Sequence, residues 1–183
     1  MKLPQQAKKV FQGKIFSVHQ WEQKLYDGST ATFEVLKRPG TIQIIPVTDT
    51  QVYLSYEEQP TKPRSYTLLG GRMEPDEEPL TTAKRELLEE AGLVSGDWEL
   101  IKTYEFEGKI EWPMYLYVAR NCRKVSEQKL DPGEQIEVKK VSFAAFIKTA
   151  SSENFWNIFF TNDVLRMRLD KEKLTEFKKK LFK

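Results

Sequence analysis

Between residues 74 and 90 the chain carries seven acids (Glu74, Asp76, Glu77, Glu78, Glu86, Glu89 and Glu90) and two bases, Lys84 and Arg85. Pro79 suits the first turn of a helix, where its missing N–H costs nothing, and Gly92 suits the left-handed position that ends one. Over the helix so bounded, about Pro79 to Ala91, Leu80, Ala83, Leu87 and Ala91 form a core stripe. Glu86, Glu89 and Glu90 fall on an arc beside it. For the helix this is a poor choice. Glu86 and Glu90 are like charges one turn apart, and Glu89 and Glu90 sit where the helix dipole disfavours negative charge, each at a cost of about 0.2–1 kcal/mol. A bound cation would offset that cost. Clustered carboxylates without neighbouring His or Cys suit a hard ion such as Mg²⁺ or Mn²⁺. Taken alone, the carboxylates serve equally well as an acidic solvent face.

The rest of the composition narrows the chemistry. The 183 residues contain one cysteine, Cys122, and one histidine, His19. That excludes a zinc site built from four Cys and His ligands, a disulfide framework, and a histidine-based triad near any nucleophile signature. The remaining reagents are 27 carboxylates and 29 Lys and Arg, with a net charge of +2 that demands neither nucleic acid nor an acidic membrane. The first residues are polar and basic, and no apolar run approaches a membrane span. A cytoplasmic, membrane-free protein is expected.

Elements must then position the acids. Lys14–Trp21 and Ala31–Leu36 read as strands joined at Asp27-Gly28, and Ile42–Val47 and Gln51–Tyr56 as a more apolar hairpin around Thr48-Asp49-Thr50. A short strand at Tyr66–Leu69 leads to Gly70-Gly71 and the acidic helix. Strands follow at Glu99–Phe106, Met114–Ala119 and Ile136–Phe143, then helices at Ala144–Ala150, Phe155–Met167 and from Asp170. Residues 171–183 hold six Lys, with Leu174, Phe177 and Leu181 at helical spacing; a docked terminal helix with a solvated basic face is expected. Mixed strands and helices without strict alternation indicate an α+β fold.

Gly71, five residues, Glu77, seven residues, then Arg85-Glu86-Leu87-Leu88-Glu89-Glu90-Ala91-Gly92-Leu93 matches the Nudix box, G-x5-E-x7-R-E-U-x-E-E-x-G-U, at every fixed position. A chance match is far below roughly one in a million per start at average residue usage. Asp27-Gly28, Phe33-Glu34, Arg38-Pro39-Gly40 and Gly133-Glu134-Gln135-Ile136-Glu137-Val138 resemble the ADP-ribose and nucleoside-diphosphate-sugar pyrophosphatase branch of that family. The resemblance implies a Nudix fold, an α/β/α sandwich around a mixed β-sheet. It also implies an N-terminal antiparallel extension over residues 1–40 that dimerises by strand exchange, and a catalytic domain over 41–183.

The same resemblance implies the roles. Glu86 and Glu90 would ligate Mg²⁺ (or Mn²⁺), with Glu89 and the Gly70 carbonyl as further ligands. Arg85 would orient these carboxylates through Glu77. Glu134 would be the general base, with Asp131 and Glu137 as substitutes. Arg64 and Arg72 flank the Gly70-Gly71 pair and suit phosphate. Trp21 or Phe16 would stack on a base, while Trp98, Trp112 and Trp156 are expected to be packing. The implied activity is metal-dependent hydrolysis of a nucleoside diphosphate sugar such as ADP-ribose or GDP-mannose. The proline often found about 16 residues after the box in ADP-ribose-preferring members is missing; that region reads Glu107-Gly108-Lys109. Alternatives are hydrolysis of dinucleoside polyphosphates or capped RNA, and a non-catalytic nucleotide-binding module.

Overall fold

The computed structural model describes residues 3–106 and 108–183, so Met1, Lys2 and Glu107 of the segments read above lie outside it. Its centre is set by strand alternation. In β4 (Thr41–Pro46) Ile42 and Ile44 point to one face and Ile45 to the other, and β10 (Met114–Arg120) does the same with Tyr117 and Ala119 against Leu116 and Val118. Residues that alternate with period two and are apolar on both faces must be covered twice. Helix α1 (Pro79–Ala91) covers one face with Ala83, Leu87 and Ala91. Helices α2 (Phe143–Ala150), α3 (Ile158–Arg168) and α4 (Lys171–Leu181) cover the other with Phe146, Phe160, Val164, Phe177 and Leu181. The fold is α+β and layered α/β/α.

The mixed sheet has the order β4-β10-β8, parallel between β4 and β10 and antiparallel between β10 and β8 (Asp97–Tyr104). An antiparallel sheet stands beside it in the order β12-β5-β6, from β5 (Gln51–Gln59), β6 (Lys62–Thr67) and β12 (Gln135–Ser142). This corrects the expected β4–β5 hairpin. The turn is present, with the Thr48 N–H donating to the Gln51 carbonyl at 2.9 Å. Beyond the Val47–Val52 bridge, however, the strands part, β4 to β10 and β5 to β12 and β6. Both strands are buried and seek partners on two edges, so adjacency in sequence does not decide pairing.

The N-terminal residues form a separate sheet of β1 (Lys8–Gln12), β2 (Ser17–Lys24), β3 (Thr30–Lys37) and the short β9 (Ile110–Glu111), which joins β3 in parallel through Leu36–Ile110 and Lys37–Glu111. The first strand was not foreseen: all its residues are exposed and it lacks an apolar alternation. Two-residue strands β7 (Leu93–Val94) and β11 (Arg123–Lys124) pair after α1. The terminal helix is docked, capped by Asp170 and anchored by buried Phe177 and Leu181. No helix among the described residues is long and apolar enough to cross a membrane. The two residues that headed the exclusions are structural: Cys122 is buried with its thiol on the Ala119 carbonyl, and His19 bonds Ser17 Oγ.

Candidate active site

Gly70 and Gly71 bring the chain across the acidic helix; Gly70 must be glycine for a steric reason, while a side chain on Gly71 would displace the Glu86 carboxylate. Gly70 has φ +131°, and a Cβ there would lie 2.2 Å from the Ile42 carbonyl oxygen. A Cβ on Gly71 would lie 2.5 Å from Glu86 Oε1. The close approach expected of this pair is therefore, first, an approach to the protein's own strand and carboxylate. Its product is a hydrogen bond of 2.6 Å from the Gly70 N–H to Glu90 Oε2.

Arg85 organises the helix. Its Nε and Nη2 donate to the two oxygens of Glu77 at 3.1 Å each, and Nη1 donates to Glu86 Oε1 and Glu89 Oε2 at 2.9 Å each. A further bond reaches the Arg72 carbonyl, so one guanidinium ties the helix to the loop before it. Glu77 also accepts from Thr82 Oγ1 and the Glu74 N–H. Held by Arg85 above all, its carboxyl falls to about 2.

The neighbouring carboxyls are shifted the other way. Burial pushes Glu86 up to about 7 against the pull of Arg85, and raises the fully buried Glu90 well above the usual carboxylate range. Glu134 is raised as well, again through burial. It stands at the end of the loop before β12, where the Asp131 N–H bonds its carboxylate and its own N–H bonds the Asp131 carbonyl. That loop is tied to α1: the Lys129 N–H donates to the Glu89 carbonyl at 2.8 Å and Gln128 Nε2 to the Glu90 carbonyl at 2.5 Å. Two carbonyls left open at the helix C-terminus thereby position the loop.

These acids meet in a pocket of about 450 Å³ lined by Glu57, Glu86, Glu89, Glu90, Asp131 and Glu134. Glu57 was missed in the sequence. It lies on β5, is buried, and bonds Ser55 Oγ at 2.8 Å; only the strand pairing brings it opposite the helix. Glu137 is outside this pocket, paired with Lys139. Among the described residues no three acidic side chains have converged to metal-ligating distances. The donor set is nonetheless all oxygen and suits a hard divalent ion. Glu90 in particular is a buried acid with one backbone N–H for company, which a cation would compensate.

A second cleft, of about 710 Å³, opens beside the acidic pocket, and the two share Arg38, Lys62, Arg72, Glu57 and the Gly70-Gly71 backbone. Five aromatic residues line it: Phe106, Trp112, Phe155, Trp156 and Phe159. Trp98 packs as expected, edge-on to Tyr117. Trp112 packs too, stacked on Phe106 against the core, and in addition stands on the cleft wall with Arg38 4.2 Å from its ring centroid. The expectation is revised for Trp156, which faces Lys62 on the cleft wall. Residues far apart in sequence build that wall, and no local pattern marks them.

The remaining residues expected to bind substrate divide. Arg72 lines both cavities. Arg64 lines neither; it bonds Glu58 and Gln135 across the antiparallel sheet. Phe16 is half-exposed beneath Arg38, at 5.7 Å. Trp21 is buried against Phe33, with Nε1 on Gln23. Arg38, which was not singled out as a substrate contact, sits at the junction of the two cavities.

Comparison with known proteins agrees with this architecture. Residues 37–158 match the NUDIX domain family. An ADP-ribose pyrophosphatase of Bacillus subtilis (strain 168) is 28% identical over 153 residues, covering 81% of this chain and 82% of the relative. A methanol dehydrogenase activator of Bacillus methanolicus is 26% identical over 136 residues, covering 72% and 74%. The crystal structure of an ADP compounds hydrolase superposes with a TM-score of 0.70 at 20% identity, over 94% of this chain and 98% of that one, which shows a common fold. With an unbroken box on a loop–helix scaffold, and a family match over most of its length, the chain belongs to the Nudix hydrolase family.

Proposed function

We propose that the chain hydrolyses the pyrophosphate of nucleoside diphosphate sugars, ADP-ribose and GDP-mannose among them, to a nucleoside monophosphate and a sugar phosphate, with Mg²⁺ (or Mn²⁺) as cofactor. The observation that carries this reading is the shared wall. An acidic pocket suited to a cation and an aromatic cleft suited to a base or sugar meet at Arg38, Lys62 and Arg72. A bridging pyrophosphate is the group that three cations at such a junction would hold.

In this reading Glu86, Glu89, Glu90 and the Gly70 carbonyl hold the cation, and Arg85 with Glu77 keeps the carboxylates in place. The ion would neutralise the pyrophosphate and acidify the attacking water. Glu134 takes the proton of that water. Burial raises its carboxyl, and a carboxylate so raised is a stronger base. The name of the B. subtilis relative supports the substrate class. Residues 1–40 serve as a dimerisation extension; Val10, Phe11, Ile15 and Phe16 expose apolar side chains there, and a stripe of that kind suits a second copy. A cytoplasmic setting goes with a nucleotide substrate.

The test is turnover of ADP-ribose, GDP-mannose, a diadenosine polyphosphate and capped RNA by the purified protein, with Mg²⁺ and with chelator. Nucleoside monophosphate from the first two, lost on chelation, is expected. Glu90→Gln keeps an acceptor for the Gly70 N–H, so it should fold yet lose at least about 10³-fold in kcat. Near-normal turnover by that variant would sink the reading. Saturable binding without product would favour a binding module instead.

A further inference from the structure

Strand β4 carries two polar side chains, Thr41 and Gln43, on the face from which Ile45 enters the core. Gln43 shares its face with Ile45 but stands at the aromatic cleft. Its amide is not free to present either end. The backbone N–H of Phe160 donates to Asn157 Oδ1 at 3.1 Å, as the N-cap bond of α3. A backbone N–H can only donate, so the Asn157 end that faces Gln43 is the Nδ2 amine. Asn157 Nδ2 donates to Gln43 Oε1. The carbonyl end of Gln43 is thereby occupied, and the two N–H groups of Nε2 are left for a ligand in the cleft.

With five aromatic residues lining it, the cleft is suited to a flat ring that carries an acceptor oxygen.

Resting on the reading above, we propose that Gln43 is a specificity-determining residue that donates to a carbonyl oxygen of the substrate's base, and that Asn157 is the positioning residue that fixes its orientation. The cleft then favours an oxo base over one that presents an amino group at the same place. A site built to donate rejects a donor, because two donors would be left facing each other.

The experiment uses IDP-glucose and ADP-glucose, which differ at purine position 6 (oxo against amino, with the N1 hydrogen that accompanies the oxo form). The wild type should favour IDP-glucose by about tenfold or more in kcat/KM. Gln43→Glu keeps the acceptor for Asn157 and turns the cleft-facing end into an acceptor. Asn157→Asp keeps the helix cap but replaces the donor, so that Gln43 must turn its own carbonyl towards the cleft. Both variants should lower the ratio by about tenfold, the second without a changed group in contact with the base. A wild-type ratio near one, or variants that slow both substrates equally, would overturn the proposal. Should the wild type cleave neither substrate, the reading of the reaction fails separately. Equilibrium binding of IMP against AMP then decides this point, with equal affinity or no binding counting against it. Gln43→Leu, uncharged and of similar size, should bring the ratio towards one and guards against misfolding of the charged variants.

Discussion

Gly70 lies closer to its surroundings than any side chain would allow. Its positive φ and the 2.2 Å approach to the Ile42 carbonyl leave no place for a methyl group. Gly70→Ala should cost roughly 2–4 kcal/mol, read as a shift of the urea midpoint, and should loosen the bond to Glu90 with it. The clamp on the other side is Arg85, and its value lies in its shape. Arg85→Lys retains one charge but cannot hold both oxygens of Glu77 while also bonding Glu86 and Glu89. The expected result is a loss of about 1–2 kcal/mol in stability and about 10–100-fold in kcat, without a matching rise in KM. A variant as active as the parent would show that the three carboxylates hold their places unaided.

At the scale of elements, the sheet and the terminal helix meet at Arg120. This guanidinium is buried, bonds Asp97 and Glu99, and donates twice to the Lys180 carbonyl of α4. Glu99 in turn faces Lys180 and Lys183, and Arg120 foremost lowers its carboxyl to about 2. A carboxyl depressed in the folded state stabilises above its unfolded value and stops doing so as it is protonated. The contribution, about 1–2 kcal/mol after allowance for solvent screening, is thus complete above about pH 4.5 and lost as the pH falls towards about 2. Glu99→Gln should lower the melting temperature at pH 7 and converge with the parent in acid. Parallel curves across that range would remove Glu99 from the account. The helix at this junction was legible beforehand: Leu174, Phe177 and Leu181 recur at helical spacing. Arg120 was not, because nothing local distinguishes a buried arginine from a surface one.

Across the whole molecule the same division holds. The acidic helix, its ends and its core stripe were legible because they are local: Pro79, Gly92 and a period of 3.6. The α/β/α layering was legible only through the family resemblance; strands apolar on both faces are its physical cause in the structure. Strand pairing was not legible, since β4 and β5 part after one bridge, and neither was the cleft, whose wall joins β4, the stretch around Trp112 and the loop before α3. Glu57 belongs to the same class, being brought to the site by tertiary pairing alone. In the proposed dimer, exposed Val10 and Phe11 are covered by a second copy; a solution mass near twice 21.4 kDa, falling to one chain on Phe11→Asp, is the expected outcome. A monomer at micromolar concentration would refute it.

Cys122 has a practical consequence. Burial pushes its thiol up to about 12, and it is nearly inaccessible, so it should scarcely react with a maleimide while the fold is intact. The natural chain is therefore already a silent background for site-directed labelling. Gly133, next to Glu134, has open space around it and no left-handed backbone to strain. Gly133→Cys should take up a fluorophore within minutes while Cys122 does not. A reporter placed there would follow the Glu134 loop in real time as cation and nucleotide are added.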